Sequence, residues 1–324
     1  MKSCGISGRL TDLWYQCAHW LWKPIPGAQV AGNDWKVRRG WQQWLKAVGY
    51  MAIEIVGKIG SMAMIRKEEN DVDYNIISRV AAELHPGMVF VTSGAAEIGR
   101  VDYMKRTGRE LSGDRQEVKM DYCAQGQIIL MENYRMFARP EYSIRQLLVE
   151  HQHFNDQAKR ENIHKLLLRA AEQNAIPIVN YNDPVSDDEI LKMELNSLKQ
   201  EHEHVVECVD NDETAAVLCD LVGAKYLVIL SSTEGIYRDA RDPNTLVTDV
   251  EAETPEALLE KVHILQQSCD GASRAGANGA RAKLEFAVRP ALKGATVIIG
   301  HARHGINALL SRKVPHTRIG IVRR

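Results

Sequence analysis

What this sequence lacks narrows it first. None of its six cysteines (Cys4, Cys17, Cys123, Cys208, Cys219, Cys269) forms a C-x-x-C pair. Neither a zinc site nor a disulfide framework is indicated, and a reducing, cytoplasmic setting is the simpler expectation. No apolar run approaches the roughly 20 residues a helix needs to span a bilayer. Excess charge of either sign is missing too. The 41 Lys and Arg stand against 42 Asp and Glu, a formal net charge of −1. That balance gives no support to a nucleic-acid or polyanion binder as the main role. Tryptophan is absent beyond Trp44, because all six (Trp14, Trp20, Trp22, Trp35, Trp41, Trp44) fall among the first fifty residues.

That shift marks 1–50 as an extension distinct from the domain expected over 51–324. The extension has no clean signal-peptide layout: Gln16, His19 and Lys23-Pro24 interrupt its apolar stretch, and it offers no convincing small-residue cleavage site. It reads as an appendage packed on the domain or on another subunit, as a segment lying on a membrane surface, or as sequence upstream of a start at Met51. An accessory role is expected. The remainder is ordinary globular sequence, with 45% hydrophobic and 26% charged residues across the 324-residue chain. It has room for one large α/β domain or two smaller ones.

Strand and helix patterns alternate. Ala52–Val56 reads as a strand ending in the turn Gly57-Lys58-Ile59-Gly60-Ser61. Glycines there admit a phosphate close to the backbone and a lysine meets its charge, although the Walker A spacing is missing and such a turn can be only a turn. Val72–Leu84 is helical in spacing and stops at His85-Pro86-Gly87. Met88–Val91 is a strand running into Thr92-Ser93-Gly94-Ala95-Ala96. Small residues at that position serve an anion at a helix start, or close helix–strand packing. Arg100–Arg115 reads as a helix end and a flexible loop, then Gln116–Phe137 as a helix, Leu147–Val149 as a strand and Gln157–Gln173 as a helix.

Two polar clusters come next. Ile176–Val179 is a strand ending in Asn180-Tyr181-Asn182-Asp183, and Asp210-Asn211-Asp212 precedes the helical run Glu213–Leu221. Facing one crevice, they would orient a polar substrate and a metal ion; taken singly, each is also ordinary turn and cap chemistry. Tyr226–Leu230 suits a central parallel strand and ends in Ser231–Tyr237; Arg241–Asn244 is a turn. Beyond it lie a helix over Pro255–Gln267, a glycine-rich loop over Gly271–Gly279 and a helix over Ala280–Leu292, with late strands at Thr296–Ile299 and Arg318–Ile321. Lys283 lies in the first turn of its helix, against the dipole preference, which invites a functional reason. The alternation implies an α/β fold with a mostly parallel central sheet between helical layers.

In their shared order these stretches resemble the amino-acid kinase superfamily, and within it the glutamate 5-kinase family. The resemblance runs from Ala52 to Ile321 and rests on Gly57–Ser61, Val91–Ala95, Asn180–Val185 with Asp188-Glu189-Ile190, Asp210–Asp212, Gly276–Lys283 and His301–Leu310. It implies a three-layer sandwich and ATP-dependent phosphorylation of the side-chain carboxylate of glutamate or a related small acid, with Mg2+. Lys58 and Lys283 would stabilise the transferred phosphoryl group. Ser93, Gly94, Asn180, Asp183 and Asn211 would hold the acceptor; Gly60, Ser61, Ser231, Ser232, Gly276 and Gly279 would cradle the nucleotide. Asp210 and Asp212 would lie at the metal and phosphates. A homo-oligomer is expected, with no nucleic-acid or membrane partner. Alternatives are the same chemistry on another small acceptor, and a non-catalytic nucleotide or amino-acid sensor.

The sequence departs from that pattern in four places. Ser232 stands where the family usually has Asp, and Met62 where it has a small or hydroxyl residue. Leu191–Cys208 reads as an insertion beside the substrate region, expected to be a solvated loop or helix. The family's common C-terminal RNA-binding-like domain is not matched.

Overall fold

The period-2 pattern of the strands organises the computed structural model of this chain. It describes residues 52–322 apart from 67, 187, 203–204, 209, 240 and 270–278. The extension over 1–50 and the loop carrying Gly276 lie outside the described residues.

In chain order the strands are β1 (Ile55–Ile59), β2 (Ile65–Arg66), β3 (Asp71–Val72), β4 (Met88–Val91), β5 (Ser143–Val149), β6 (Ala175–Tyr181), β7 (Tyr226–Ser231), β8 (Ile236–Tyr237), β9 (Leu246–Val247), β10 (Asp249–Ala252), β11 (Thr296–His301) and β12 (Thr317–Ile321). The helices are α1 (Tyr74–Glu83), α2 (Ala95–Thr107), α3 (Arg115–Phe137), α4 (Gln152–Asn155), α5 (Gln157–Glu172), α6 (Asp188–Glu201), α7 (Asn211–Val222), α8 (Pro255–Ser268), α9 (Ala280–Leu292) and α10 (Gly305–Leu310). Among the described residues one eight-stranded sheet has the order β10-β12-β11-β7-β1-β4-β6-β5. Its neighbours pair in parallel except β11 with β12.

Side-chain alternation assigns the strands' residues to two cores. Val56, Val89, Val91, Val179, Leu227, Ile229, Val297 and Ile299 pack with Leu167 of α5, Leu218 of α7, Leu258 of α8 and Leu284 of α9. Ile55, Ile59, Met88, Phe90, Ile178, Val228, Leu230 and Ile298 pack with Ile77 of α1, Ile98 of α2, Leu130 of α3 and Ile306 of α10. The result is the expected mostly parallel sheet between two helical layers. β1 sits between β4 and β7, where the chain's direction of travel across the sheet reverses, and such reversals open a crevice at the strands' carboxyl ends.

Three local expectations change. The first strand is Ile55–Ile59 rather than 52–56, so Gly57 and Lys58 are strand residues and not a turn after one. The reason is packing: a Cβ on Gly57 would stand 2.6 Å from Phe90 Cδ2 of the neighbouring strand. Glycine here marks close approach. Residues 100–107 continue α2, which ends at Gly108 with φ +73°, so the loop is confined to residues 108–114. The insertion is mostly the helix α6, and the segment beyond it is docked rather than solvated: Val206 and Cys208 are buried, and Asn155 exchanges hydrogen bonds of 2.8 and 2.9 Å with the Val206 backbone. No helix among the described residues is long and apolar enough to cross a membrane.

The helices α2 and α3 cross in backbone contact. A Cβ on Gly126 would lie 1.8 Å from the Ala95 carbonyl oxygen, and one on Gly99 2.0 Å from that of Tyr122. Backbone cannot yield as a flexible side chain can. Gly126→Ala is therefore expected to lower unfolding stability by about 3 kcal/mol, the upper range of overpacking costs. Urea denaturation should show the midpoint falling at unchanged slope.

Candidate active site

Because Lys58 comes two residues after Val56 on β1, its side chain joins the face covered by α7 and α9. Both helices begin at the carboxyl edge of the sheet. There Lys58 Nζ meets Asp212 Oδ1 at 2.6 Å, and Lys283 Nζ lies 3.7 Å from Asp212 Oδ2. Lys58 is 5% exposed and Asp212 1%. The lysine that opposes the α9 dipole thus stands against a carboxylate of α7. Asp210 caps α7, its Oδ1 accepting the Asp212 N–H at 2.6 Å.

These groups open onto a cavity of about 950 Å³, a size usual for small-molecule sites. Its walls include Gly60 and Ser61 after β1, Ser93 after β4, Ser231, Ser232, Thr233 and Gly235 after β7, and Gly279 before α9. Gly60 N–H donates to the Leu230 carbonyl at 3.1 Å, tying the β1 and β7 loops at their bases. The β7 loop is pinned from behind. Buried Thr317 Oγ1 accepts the Ile236 N–H at 2.8 Å, and a Cβ on Gly235 would reach that oxygen at 2.4 Å. Met62, Glu97, Tyr237, Arg238 and Arg241 also line the cavity.

Four of the residues expected at the acceptor lie behind the cavity wall or beside it. Asn211 Nδ2 donates to Ser93 Oγ at 3.0 Å and is 3.1 Å from Asn180 Oδ1. Asn180, 2% exposed, donates through Nδ2 to Gln127 Oε1 at 2.8 Å. This polar chain reaches the cavity through Ser93. Gly94 takes φ +91° at the start of α2, and a Cβ there would strike Met64 Cε at 2.6 Å. Asp183 is 3.3 Å from Lys119 of α3.

Gln127, Glu97 and Lys119 were not foreseen from sequence. Gln127 had a readable signal, since it shares with Leu130 and Tyr134 the buried face of α3. A glutamine at a core position must find partners. Gln127 Nε2 and Asn211 Oδ1 are buried without a hydrogen-bond partner among the described residues.

The electrostatics divide the two aspartates. Burial works to raise Asp212, but the charges of Lys58 and Lys283 prevail and hold it below the usual carboxylate range. Burial and the neighbouring Asp212 charge push Asp210 up, against the two lysines. Among the described residues no group of three or more His, Cys, Asp or Glu is placed to hold a metal. The pair therefore fits Mg2+ only where phosphates complete the ligand set, an arrangement typical of that ion.

Asp212→Asn would leave Lys58 buried beside a neutral amide. The expected loss is about 3 kcal/mol, the lower end for breaking a buried pair. A lowered carboxyl stabilises above its unfolded value and loses that contribution as pH falls through its folded one. Chemical denaturation across pH should thus show the wild-type advantage over Asp212→Asn greatest near neutrality and closing in acid. Asp210, shifted the other way, gains a proton first on acidification and eases its repulsion of Asp212.

The model of the amino acid kinase family matches residues 54–301. Glutamate 5-kinase of Laribacter hongkongensis is 29% identical over 289 residues, spanning 85% of this chain and 69% of that protein. Glutamate 5-kinase of Gloeobacter violaceus is 27% identical over 283 residues, 84% of this chain and 69% of that one. Carbamate kinase from Giardia lamblia bound to AMP-PNP shares the fold at a TM-score of 0.52 and 14% identity, covering 84% of this chain and 99% of that one. With the family model spanning most of the sequence, this chain belongs to the amino acid kinase family and is a kinase, a phosphotransferase.

Proposed function

We propose that this kinase uses ATP to phosphorylate the side-chain carboxylate of glutamate or a closely related small acid. The observation that carries the reading is the pair of lysines held on one buried aspartate at the cavity floor. Phosphoryl transfer asks the protein for positioning and charge neutralisation rather than a covalent intermediate. Anionic acceptor and anionic phosphate repel, and two fixed ammonium groups offset that repulsion as charge shifts in the transition state. In the proposed step a carboxylate oxygen of the acceptor attacks the γ-phosphorus. The bond from that phosphorus to the β,γ-bridging oxygen breaks, its electron pair leaves with ADP, and the product is an acyl phosphate.

The nucleotide would lie along the β7 loop, with Gly60, Ser61, Ser231, Ser232 and Gly279 near its phosphates. Ser232 offers a hydroxyl where the family pattern has a carboxylate, so orientation of the lysines falls to Asp212. Mg2+ would enter with the nucleotide beside Asp210 and supply further charge neutralisation on the phosphates. The acceptor would lie toward Ser93, with Asn211 and Asn180 fixing the serine. A cytoplasmic setting is part of the proposal, supported by six cysteines among which no C-x-x-C pair occurs, as suits a reducing compartment. The α6 insertion favours a second reading, the same chemistry on a different small acceptor, because Asp183 and α6 adjoin in sequence.

ATP turnover across a panel of small acids, glutamate and aspartate first, tests the reading. Lys58→Ala and Lys283→Ala are each expected to lower kcat by about 10²–10³-fold, the usual cost of one charge-stabilising donor. Wild-type-like turnover in both would remove phosphoryl transfer from this cavity. Asp183→Ala should raise KM for the acceptor more than for ATP, and the reverse would exchange the two half-sites. Stabilisation by an acid without turnover would indicate the sensor.

A further inference from the structure

Four acids line the cavity among the described residues: Glu97, Asp210, Asp212 and Asp239. Three are engaged. Asp212 holds the lysines, Asp210 caps α7, and Asp239 Oδ1 accepts the Arg241 N–H at 2.9 Å. Glu97 differs. It is half-buried, and its side chain makes no hydrogen bond or ion pair among the described residues. Its place in the first turn of α2 puts it one turn beyond Ser93, which lines the same cavity. A carboxylate at a helix start is favoured by the dipole, which accounts for an acid being tolerated there. It does not account for an acid in a cavity wall whose side chain meets no donor among the described residues, an arrangement open to a cationic ligand.

The nearby acid, Asp183, already has its cation in Lys119 at 3.3 Å. Burial pushes the Cys123 thiol up to about 12, with the negative charges of Asp183 and Glu97 adding to that rise and Lys119 opposing it. Among the described residues, Glu97 is thus the cavity acid without an ion pair or side-chain hydrogen bond, while Lys58 and Lys283 sit on Asp212.

We propose that Glu97 is a specificity-determining residue that receives a cationic nitrogen of the acceptor. The cavity then prefers small acids that carry an ammonium group over acids of the same carbon skeleton without one. This rests on the kinase reading of the cavity, and it assigns to Glu97 what that reading leaves open.

The test uses the full chain with ATP and Mg2+ and two matched pairs, glutamate against glutarate and aspartate against succinate. For the better pair, the wild-type kcat/KM ratio should favour the amino acid. Glu97→Gln should cut that ratio at least about tenfold, through KM for the amino acid, as expected when a charge-matched contact is removed. Glu97→Asp, which keeps the charge, should recover part of it. An unchanged ratio in Glu97→Gln overturns the proposal, as does a lowered melting temperature with the ratio intact, the mark of a purely structural acid. Should no acid be turned over, the kinase reading fails separately, and Glu97 is judged by binding. The larger thermal stabilisation by the amino acid than by its amine-free partner should vanish in Glu97→Gln. Persistence of that difference, or its absence in the wild type for both pairs, overturns the assignment.

Discussion

Asp212 sits between two ammonium groups at 1% exposure, and much of the molecule is arranged to make that placement tolerable. A lone carboxylate there would face a desolvation penalty of several kcal/mol, and so would Lys58 without it. The three partners come from β1, α7 and α9. Their contact requires strand register, helix position and helix rotation to agree at once. Val56 and Leu227, paired in register between β1 and β7, and Leu218 and Leu284 from the two helices belong to the core that supplies this agreement. Packing sets the electrostatics. An interior near crystal density holds charges to a fraction of an ångström where water would let them drift.

Around this charged centre the loops are fixed by unlike means. The β4 loop is held by a polar chain from Gln127 through Asn180 and Asn211 to Ser93, each link 3.1 Å or shorter. The β7 loop is held by steric closure at Gly235 and by the Thr317 hydroxyl, which also donates to the Val247 carbonyl at 2.6 Å. At its outer edge Glu234 meets His304 at 2.7 Å and pairs with Arg303, joining this loop to the one after β11. A second buried aspartate, Asp220, takes Arg289 at 3.0 Å and Lys293 at 2.7 Å and so locks α7 to α9 at the far end from the site. Both helices are thereby clamped at each end, which keeps Asp212 and Lys283 in step.

Particular residues show how far sequence carried the reading. Lys283 stood out because it violated a local rule, and the partner it violated the rule for is Asp212. Tyr226–Leu230 read as a central strand from its unbroken apolar run, and it is central. Gly57 misled, because a glycine required by a neighbour's ring looks the same in sequence as one required by a turn. The insertion's helix was admitted as an option, but the docking of Val206 and Cys208 was not, since their partners lie on distant elements. Glu97 escaped notice for a related reason. A first-turn glutamate is ordinary until it is found lining a cavity with no side-chain partner among the described residues.

The alternating strand and helix periods, the polar strand ends and their order were determined by sequence alone, because they are local properties of the chain. Periodicity selects the buried face of each element, and the motif order selects the family. The pairing of Lys58 and Lys283 on one aspartate was decided by the tertiary structure, as were the support of Ser93 by Gln127 and the placement of Glu97 in the cavity wall. Each depends on distances between segments far apart in sequence, and those distances exist only once two cores have packed against one sheet.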